Sequence, residues 1–274
     1  MLGLQFDVKG RCIPANGGFM QITDTTIAVI AGGASGLGAA TAEALVEKGA
    51  QVAILDRDTA AGSAKAETLG GLLVETDVSD PESVSQAIDA IRDRFGTVHI
   101  AVNCAGLAPA AKTVSKGAPH DPALFAKVIN VNLIGTFNVA TQAAALMATN
   151  EPLTSDGARG VIVNTASVAA YEGQVGQIAY SASKGGVVGL TLPMARDLAP
   201  LGIRVCAIAP GLFKTPMLEG LPHEVQDSLG NQVPFPSRLG HPAEFAQLVR
   251  HIVENPMLNG EVIRLDGAIR MAPR

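Results

Sequence analysis

The chain of 274 residues has no tryptophan, 2 tyrosines, 3 cysteines and only 16% charged residues. Each shortage excludes something. The cysteines, Cys12, Cys104 and Cys206, are odd in number and form no CxxC, which argues against a disulfide framework or a cysteine-based zinc site and for a reducing compartment. The histidines, His99, His120, His223, His241 and His251, lack metal-ligand spacing, so no metal is expected and they are assigned to surface or cap positions. A net charge of −5 without a dense cluster of lysines and arginines leaves no electrostatic footprint for nucleic acid. No apolar run reaches the roughly 18 to 20 residues that span a bilayer, since 26-TIAVIAGGASGLGAA-40 is broken by glycines, and a soluble protein with no membrane partner is expected.

The first 22 residues have neither the apolar core of a signal peptide nor the Arg/Ser-rich, acid-free make-up of a transit peptide. They read as an extension outside the fold, with Met20 an equally good start. A cytoplasmic location is expected, the mitochondrial matrix being the alternative.

What the sequence does have is 47% hydrophobic residues and 30 glycines spread along its length. From Thr26 onward short apolar runs alternate with longer amphipathic segments, the pattern of repeated βα units around a parallel sheet. Strands are predicted at 27–31, 51–55, 72–75, 98–103, 160–165, 203–209 and 261–265, and helices near 37–48, 59–68, 81–95, 122–147, 180–199 and 242–254. The fold class is α/β: one doubly wound Rossmann domain over 23–274, its seven-stranded parallel sheet flanked by helices. Irregular stretches remain at 107–121, 150–159 and 210–236. The last follows a strand, at the sheet edge where ligands of such folds bind, and is expected to form a substrate lid.

Strand 27–31 runs into 32-GGASGLG-38. Gly32, Gly36 and Gly38 remove the side chains that would keep backbone from a pyrophosphate, and Ser35 and Leu37 lie where a helix offers its free N–H groups. The strand–loop–helix context makes this a dinucleotide site. Twenty residues after Gly36, Asp56 ends the second strand, placed to accept from ribose hydroxyls and to repel a 2′-phosphate, so NAD is expected over NADP. Arg57 is the counter-argument, and capping of the helix at 59 is the structural alternative for Asp56. Asp77 and Val78 after the third strand, and Asn103, Ala105 and Gly106 in 103-NCAG-106 after the fourth, share the edge. Asp77 is read against the adenine amino group and 103–106 near the adenosine ribose, although either alone is also a turn signal.

In 179-AYSASKGG-186 Tyr180 precedes Lys184 by one helical turn. A free tyrosine titrates near pH 10 and makes a poor base. An ammonium on the same helix face, with the positive ring of an oxidised nicotinamide, is expected to lower that value and make the two an acid/base pair. Ser167, in 165-TASV-168 at the end of the fifth strand, stands ready to hold the substrate oxygen beside Tyr180. A strand-end serine by itself is usually a cap.

Together these motifs resemble the short-chain dehydrogenase/reductase family. Its Thr-Gly-x-x-x-Gly-x-Gly loop is matched by 31-AGGASGLG-38, its Asn-Asn-Ala-Gly motif by 103-NCAG-106, its Tyr-x-x-x-Lys by Tyr180 and Lys184, and its Pro-Gly turn by Pro210 and Gly211. Ala31 and Cys104 depart from the pattern, and Cys104 reads as a small buried residue. The resemblance implies that Asn132 anchors a relay water beside Lys184, that Lys184 also grips the nicotinamide ribose, and that Thr215 contacts the carboxamide. Asn130 and Asn138 read as caps or surface positions. The resemblance further implies a homotetramer packed through the helices near 122–147 and 180–199 and through the C-terminal strand.

Within the family, 164-NTASVAAYEGQVGQIAYSASKGG-186, 207-AIAPGLF-213, 232-QVPFPSRLG-240 and 255-NPMLNGEVIRLDGAIRM-271 are similar to the 3-hydroxyacyl-CoA dehydrogenases also described as 17β-hydroxysteroid dehydrogenases. This implies NAD-dependent oxidation of 3-hydroxyacyl-CoA, a small-molecule substrate. Phe213, Met217, Leu218 and Leu221 are then expected to close over the acyl chain, and Lys112, Lys116 and Lys214 to attract the CoA phosphates. The alternatives are a hydroxysteroid or alcohol dehydrogenase, a 3-oxoacyl reductase and, from a different class, a non-catalytic NAD-binding scaffold.

Overall fold

The structure, a computed structural model, describes residues 19–220 and 222–273, except for the side chains of Met217 and Glu219, together with the antiparallel pairing of 5–6 with 12–13. Of the expected N-terminal extension through residue 18, only 5–6 and 12–13 are described, and the rest lies outside the described residues. At its inner edge the expectation is corrected. Met20 and Ile22 are buried in the same core cluster as Ala28, Ile30, Ala42 and Leu45, so the domain begins before residue 23.

The seven strands of the main sheet are β1 (Ile27–Ala31), β2 (Gln51–Asp56), β3 (Leu72–Glu75), β4 (Ile100–Asn103), β5 (Gly160–Thr165), β6 (Ile203–Pro210) and β7 (Val262–Leu265). They lie in the order β7-β6-β5-β4-β1-β2-β3 with every pairing parallel. Strand order reverses between β1 and β4, and a crevice opens there at the carboxyl ends.

Side-chain alternation divides the core into two layers. Ile27, Val29 and Ala31 of β1 face α3 (Pro81–Phe95) and α5 (Gly135–Met147), whereas Ala28 and Ile30 face α1 (Gly36–Val46) and α9 (Pro242–Glu254). The remaining helices are α2 (Thr59–Leu69), α4 (Pro122–Ile129), α6 (Ile178–Leu198), α7 (Pro216–Glu219) and α8 (His223–Gly230). The helix expected over 122–147 is interrupted: a π-helical turn, Asn130–Ile134, separates α4 from α5. Averaged along its length this stretch is apolar and long enough to cross a membrane, contrary to the expectation of no such segment. Counting unbroken apolar runs misses it because Asn and Thr punctuate it. Its buried side chains, Val139, Ala140 and Ala143 among them, belong to the sheet core.

Two polar residues expected at caps or on the surface are buried. Asn138 donates its amide to the Val78 carbonyl at 2.9 Å, and His99 accepts the Ile27 N–H on Nδ1 at 3.0 Å, joining the approach to β4 to the start of β1. Asn130 is exposed at the end of α4, and His241 caps α9 together with Glu244.

Burial depresses the pKa of His99 below 6.5. The unfolded chain therefore takes up this proton first as pH falls. Stability should be insensitive to His99 above about pH 6.5 and decline below it, with a slope no steeper than about 1.4 kcal/mol per pH unit for one proton. Urea unfolding between pH 7.5 and 5 should show this component in the parent chain and its loss in His99→Gln.

Candidate active site

The glycine loop leaves β1 at Ala31 and enters α1 at Gly36, one residue before the expected start. Gly36 has φ +54°, which disfavours any side chain. Gly38 permits the loop to close on itself, since a Cβ there would stand 2.1 Å from the Gly32 carbonyl oxygen. Ser35 at the N-cap makes no capping bond and the first turn has no acidic residue, so the positive end of α1 faces the crevice without a side-chain anion. Ala31 offers no hydroxyl to the loop. The loop is tied instead by Asp56, whose Oδ2 accepts the Ala34 N–H at 3.0 Å.

The second Asp56 oxygen accepts the Asp58 N–H at 3.1 Å, while Asp58 itself caps α2, so the capping alternative for Asp56 falls away. Asp77 receives both the hydroxyl and the N–H of Ser79, the hydroxyl being the main cause of its lowered carboxyl pKa. Arg57 lies 3.6 Å from Asp77 and is directed to that carboxylate.

Tyr180 and Lys184 project from α6 against the end of β5. Lys184 is buried, its Nζ donating to the Thr165 carbonyl at 2.6 Å and lying 5.8 Å from the Tyr180 ring centre. Burial lowers its pKa to about 8. Burial also raises the phenol of Tyr180, and a hydrogen bond with the Ser167 hydroxyl partly offsets it. The lowering expected from Lys184 together with an oxidised nicotinamide ring does not arise in the chain alone, where burial is the largest influence on the phenol. Ser167 both caps the short 168–170 turn, through the Ala169 N–H, and meets Tyr180.

Asn132 sits in the π-helical turn, fully buried. Its Oδ1 accepts the Leu107 N–H at 2.9 Å, and its Nδ2 donates to the Leu107 carbonyl and to Ser183 Oγ. The amide is committed to the 106–107 backbone and to α6, and the side chain does not border the cavity. A π-turn at such a place is common at functional sites.

One cavity of about 570 Å³ joins these parts. Gly32, Ser35, Gly36, Leu37, Gly38, Asp56, Asp77, Val78, Ala105, Gly106, Ser167, Tyr180, Lys184, Pro210, Gly211 and Thr215 all border it. Asn103 does not. Strand alternation turns its side chain into the sheet, where it donates to Asn164 at 2.8 Å, while Cys104, Ala105 and Gly106 of the same stretch reach the cavity. Phe213 and Leu218 line the cavity, whereas the Met217 side chain and Leu221 lie outside the described residues. Lys112, Lys116 and Lys214 are exposed and none of them lines it. Cys104 lines it as a protonated thiol, its pKa pushed by burial to about 11. Gln174, Gln177, Leu212 and Met271 also line it and carry no motif signal. Their places depend on long-range contacts.

The open α1 terminus, the glycine cradle and the fixed Asp56 carboxylate fit an extended dinucleotide, and the cavity continues to the Ser167–Tyr180–Lys184 cluster. The family described as short chain dehydrogenase matches residues 26–226. The chain belongs to this family. It is an oxidoreductase acting on CH–OH groups. The 3-hydroxyacyl-CoA dehydrogenase type-2 of Homo sapiens is 59% identical over 251 residues, covering 90% of this chain and 96% of the human one. That of Drosophila melanogaster is 54% identical, covering 90% and 98%. The crystal structure of 3-hydroxyacyl-CoA dehydrogenase type-2 from Mycobacterium avium superposes with a TM-score of 0.87 at 44% identity, covering 92% of this chain and 98% of that one.

The lowered Lys184 pKa can be read directly. In spectra of the side-chain ammonium groups, one lysine signal should titrate near pH 8, and that signal should vanish in Lys184→Met. The absence of any lysine signal titrating near pH 8 in the parent chain would contradict the burial argument.

Proposed function

We propose that the chain catalyses the reversible, NAD-dependent oxidation of 3-hydroxyacyl-CoA to 3-oxoacyl-CoA. The observation that carries this reading is the convergence of Ser167 and Tyr180 on the wall of one cavity, with the buried Lys184 ammonium beside them. The acyl-CoA substrate is supported by the similarity to the human and fly dehydrogenases over 251 residues.

When bound, the nicotinamide supplies the acceptor or donor of the hydride at the carbinol carbon. Ser167 and Tyr180 grip the substrate oxygen. Tyr180, kept protonated by burial, gives its proton to that oxygen in the reductive direction and must first lose it to act as the base in oxidation. Lys184, cationic below about pH 8, favours the anion that forms on Tyr180 in either direction. Asn132, through Leu107 and Ser183, holds the backbone and helix between which the pair works.

NAD over NADP is supported by Asp56, a carboxylate held at the cavity wall by two backbone N–H groups, which would repel a 2′-phosphate. A homotetramer is part of the same proposal. Ile134 in the π-turn, Phe137 on α5, and Ile178 and Leu192 on α6 are large apolar side chains left exposed on the helices expected to pack between subunits. The free thiols of Cys104 and Cys206 favour a reducing compartment such as the cytoplasm.

The test follows reduced-nicotinamide absorbance with acetoacetyl-CoA. The expected result is fast turnover with NADH, slow turnover with NADPH, and a loss of about 10²-fold or more in kcat for Tyr180→Phe. Equal use of both cofactors would overturn the role of Asp56. No turnover with either would overturn the acyl-CoA reading.

A further inference from the structure

Glu172 lies between Ser167 and Tyr180, in the loop that leads into α6, and has no part in the proposed chemistry. Its carboxylate is nevertheless heavily bonded. Arg264 of β7 grips both oxygens, Nη1 to Oε1 at 2.8 Å and Nη2 to Oε2 at 3.1 Å. The Met271 N–H donates to Oε2 at 3.1 Å, and Arg270 approaches Oε1 at 3.4 Å. Arg264 is in turn fixed by Asp266 at 2.8 Å and by the Ile269 carbonyl at 3.1 Å, and its guanidinium lies over the Tyr171 ring.

The consequence is a strap. Residues 270–273 run along 172–175, with Gln174 Nε2 donating to the Ala272 carbonyl at 2.9 Å and the Val175 N–H to the Pro273 carbonyl at 3.1 Å. Ala268, at the turn into the strap, is held at φ +68°, a strained value for a non-glycine residue. A network that holds strain in place is built to fix something. What it fixes is Met271, half-buried and lining the cavity together with Gln174 and Gln177.

We infer that Met271 is a specificity-determining residue for the acyl chain, and that Glu172 is the positioning residue that seats it. The inference rests on the acyl-CoA reading above. The strap is attached to the segment joining Ser167 to Tyr180, so Met271 borders the substrate end of the cavity and not the Asp56 end. A flexible thioether there limits the length of chain accepted and adapts to branching. Glu172 acts only through the strap, because its carboxylate is spent on Arg264, Arg270 and the Met271 N–H.

The experiment compares acetoacetyl-CoA with 3-oxooctanoyl-CoA, using NADH, for the parent chain, Met271→Ala, Glu172→Gln and the double variant. Met271→Ala should raise the long-to-short ratio of kcat/KM by about tenfold. Glu172→Gln should move the ratio the same way, the change falling on KM more than on kcat, and should speed hydrogen exchange at the Met271 amide. In the Met271→Ala background Glu172→Gln should move the ratio no further. If the parent turns over acetoacetyl-CoA but Met271→Ala leaves the ratio unchanged, the inference is wrong while the acyl-CoA reading stands. A uniform loss with both substrates in Glu172→Gln would reduce Glu172 to a stabilising residue and overturn its positioning role. Should that variant not fold, Met271→Ala at the chain end still decides the specificity claim. A parent inactive on both thioesters would remove the acyl-CoA reading and this inference with it.

Discussion

Everything in the site depends on taking one phenol and one ammonium out of water together. Burial penalises each charged form: it raises Tyr180 and lowers Lys184 to about 8. Desolvation keeps the phenol protonated and brings the ammonium within reach of losing its proton near neutral pH. The groups that resist this are few and specific, the Ser167 hydroxyl on the phenol and the Thr165 carbonyl on the ammonium, and both come from the carboxyl end of β5. A shift in β5 by one residue would turn Ser167 to the opposite face and leave the phenol with burial and no partner.

Register is therefore what the rest of the fold protects. β5 lies between β4 and β6 with uninterrupted parallel pairing. Near its carboxyl end the Asn103–Asn164 amide bond crosses from β4 to β5, although Asn103 Oδ1 and Asn164 Nδ2 are left buried without partners. Leaving such atoms unpaired costs roughly 1–3 kcal/mol each, and the fold tolerates it next to the strand ends that carry Cys104–Gly106 and Thr165–Ser167. Asn132 and Asn138 do similar work from the helix side, fastening the 106–107 backbone and the Val78 loop to the segment flanking the π-turn.

The strands, the order of the helices and the glycine loop were legible because they rest on local chemistry: apolar period, glycine where the backbone must pass, a carboxylate at a strand end. Tyr180, Lys184 and Ser167 were legible as a group because helix and strand geometry bring them to one edge. What was not legible depends on partners distant in sequence. His99 and Asn138 have the composition of surface residues, and their partners distant in sequence, the Ile27 N–H that donates to His99 and the Val78 carbonyl that accepts from Asn138, make them core. Asn103 sits in a recognisable motif, yet strand alternation points it away from the crevice. The π-turn at Asn132 has no compositional signature, and Met271 reaches the cavity through a strap fixed by residues 172 and 264.

The absence of tryptophan and the presence of only two tyrosines make the central claim measurable in one spectrum. In a Tyr171→Phe background the ultraviolet tyrosinate band reports Tyr180 alone, and can be followed against pH in the protein without dinucleotide. If desolvation governs the site, half-ionisation lies above pH 10, and Ser167→Ala moves it higher still. Half-ionisation below pH 10 in the protein alone, unaffected by Ser167→Ala, would contradict the account and give Lys184 the dominant role.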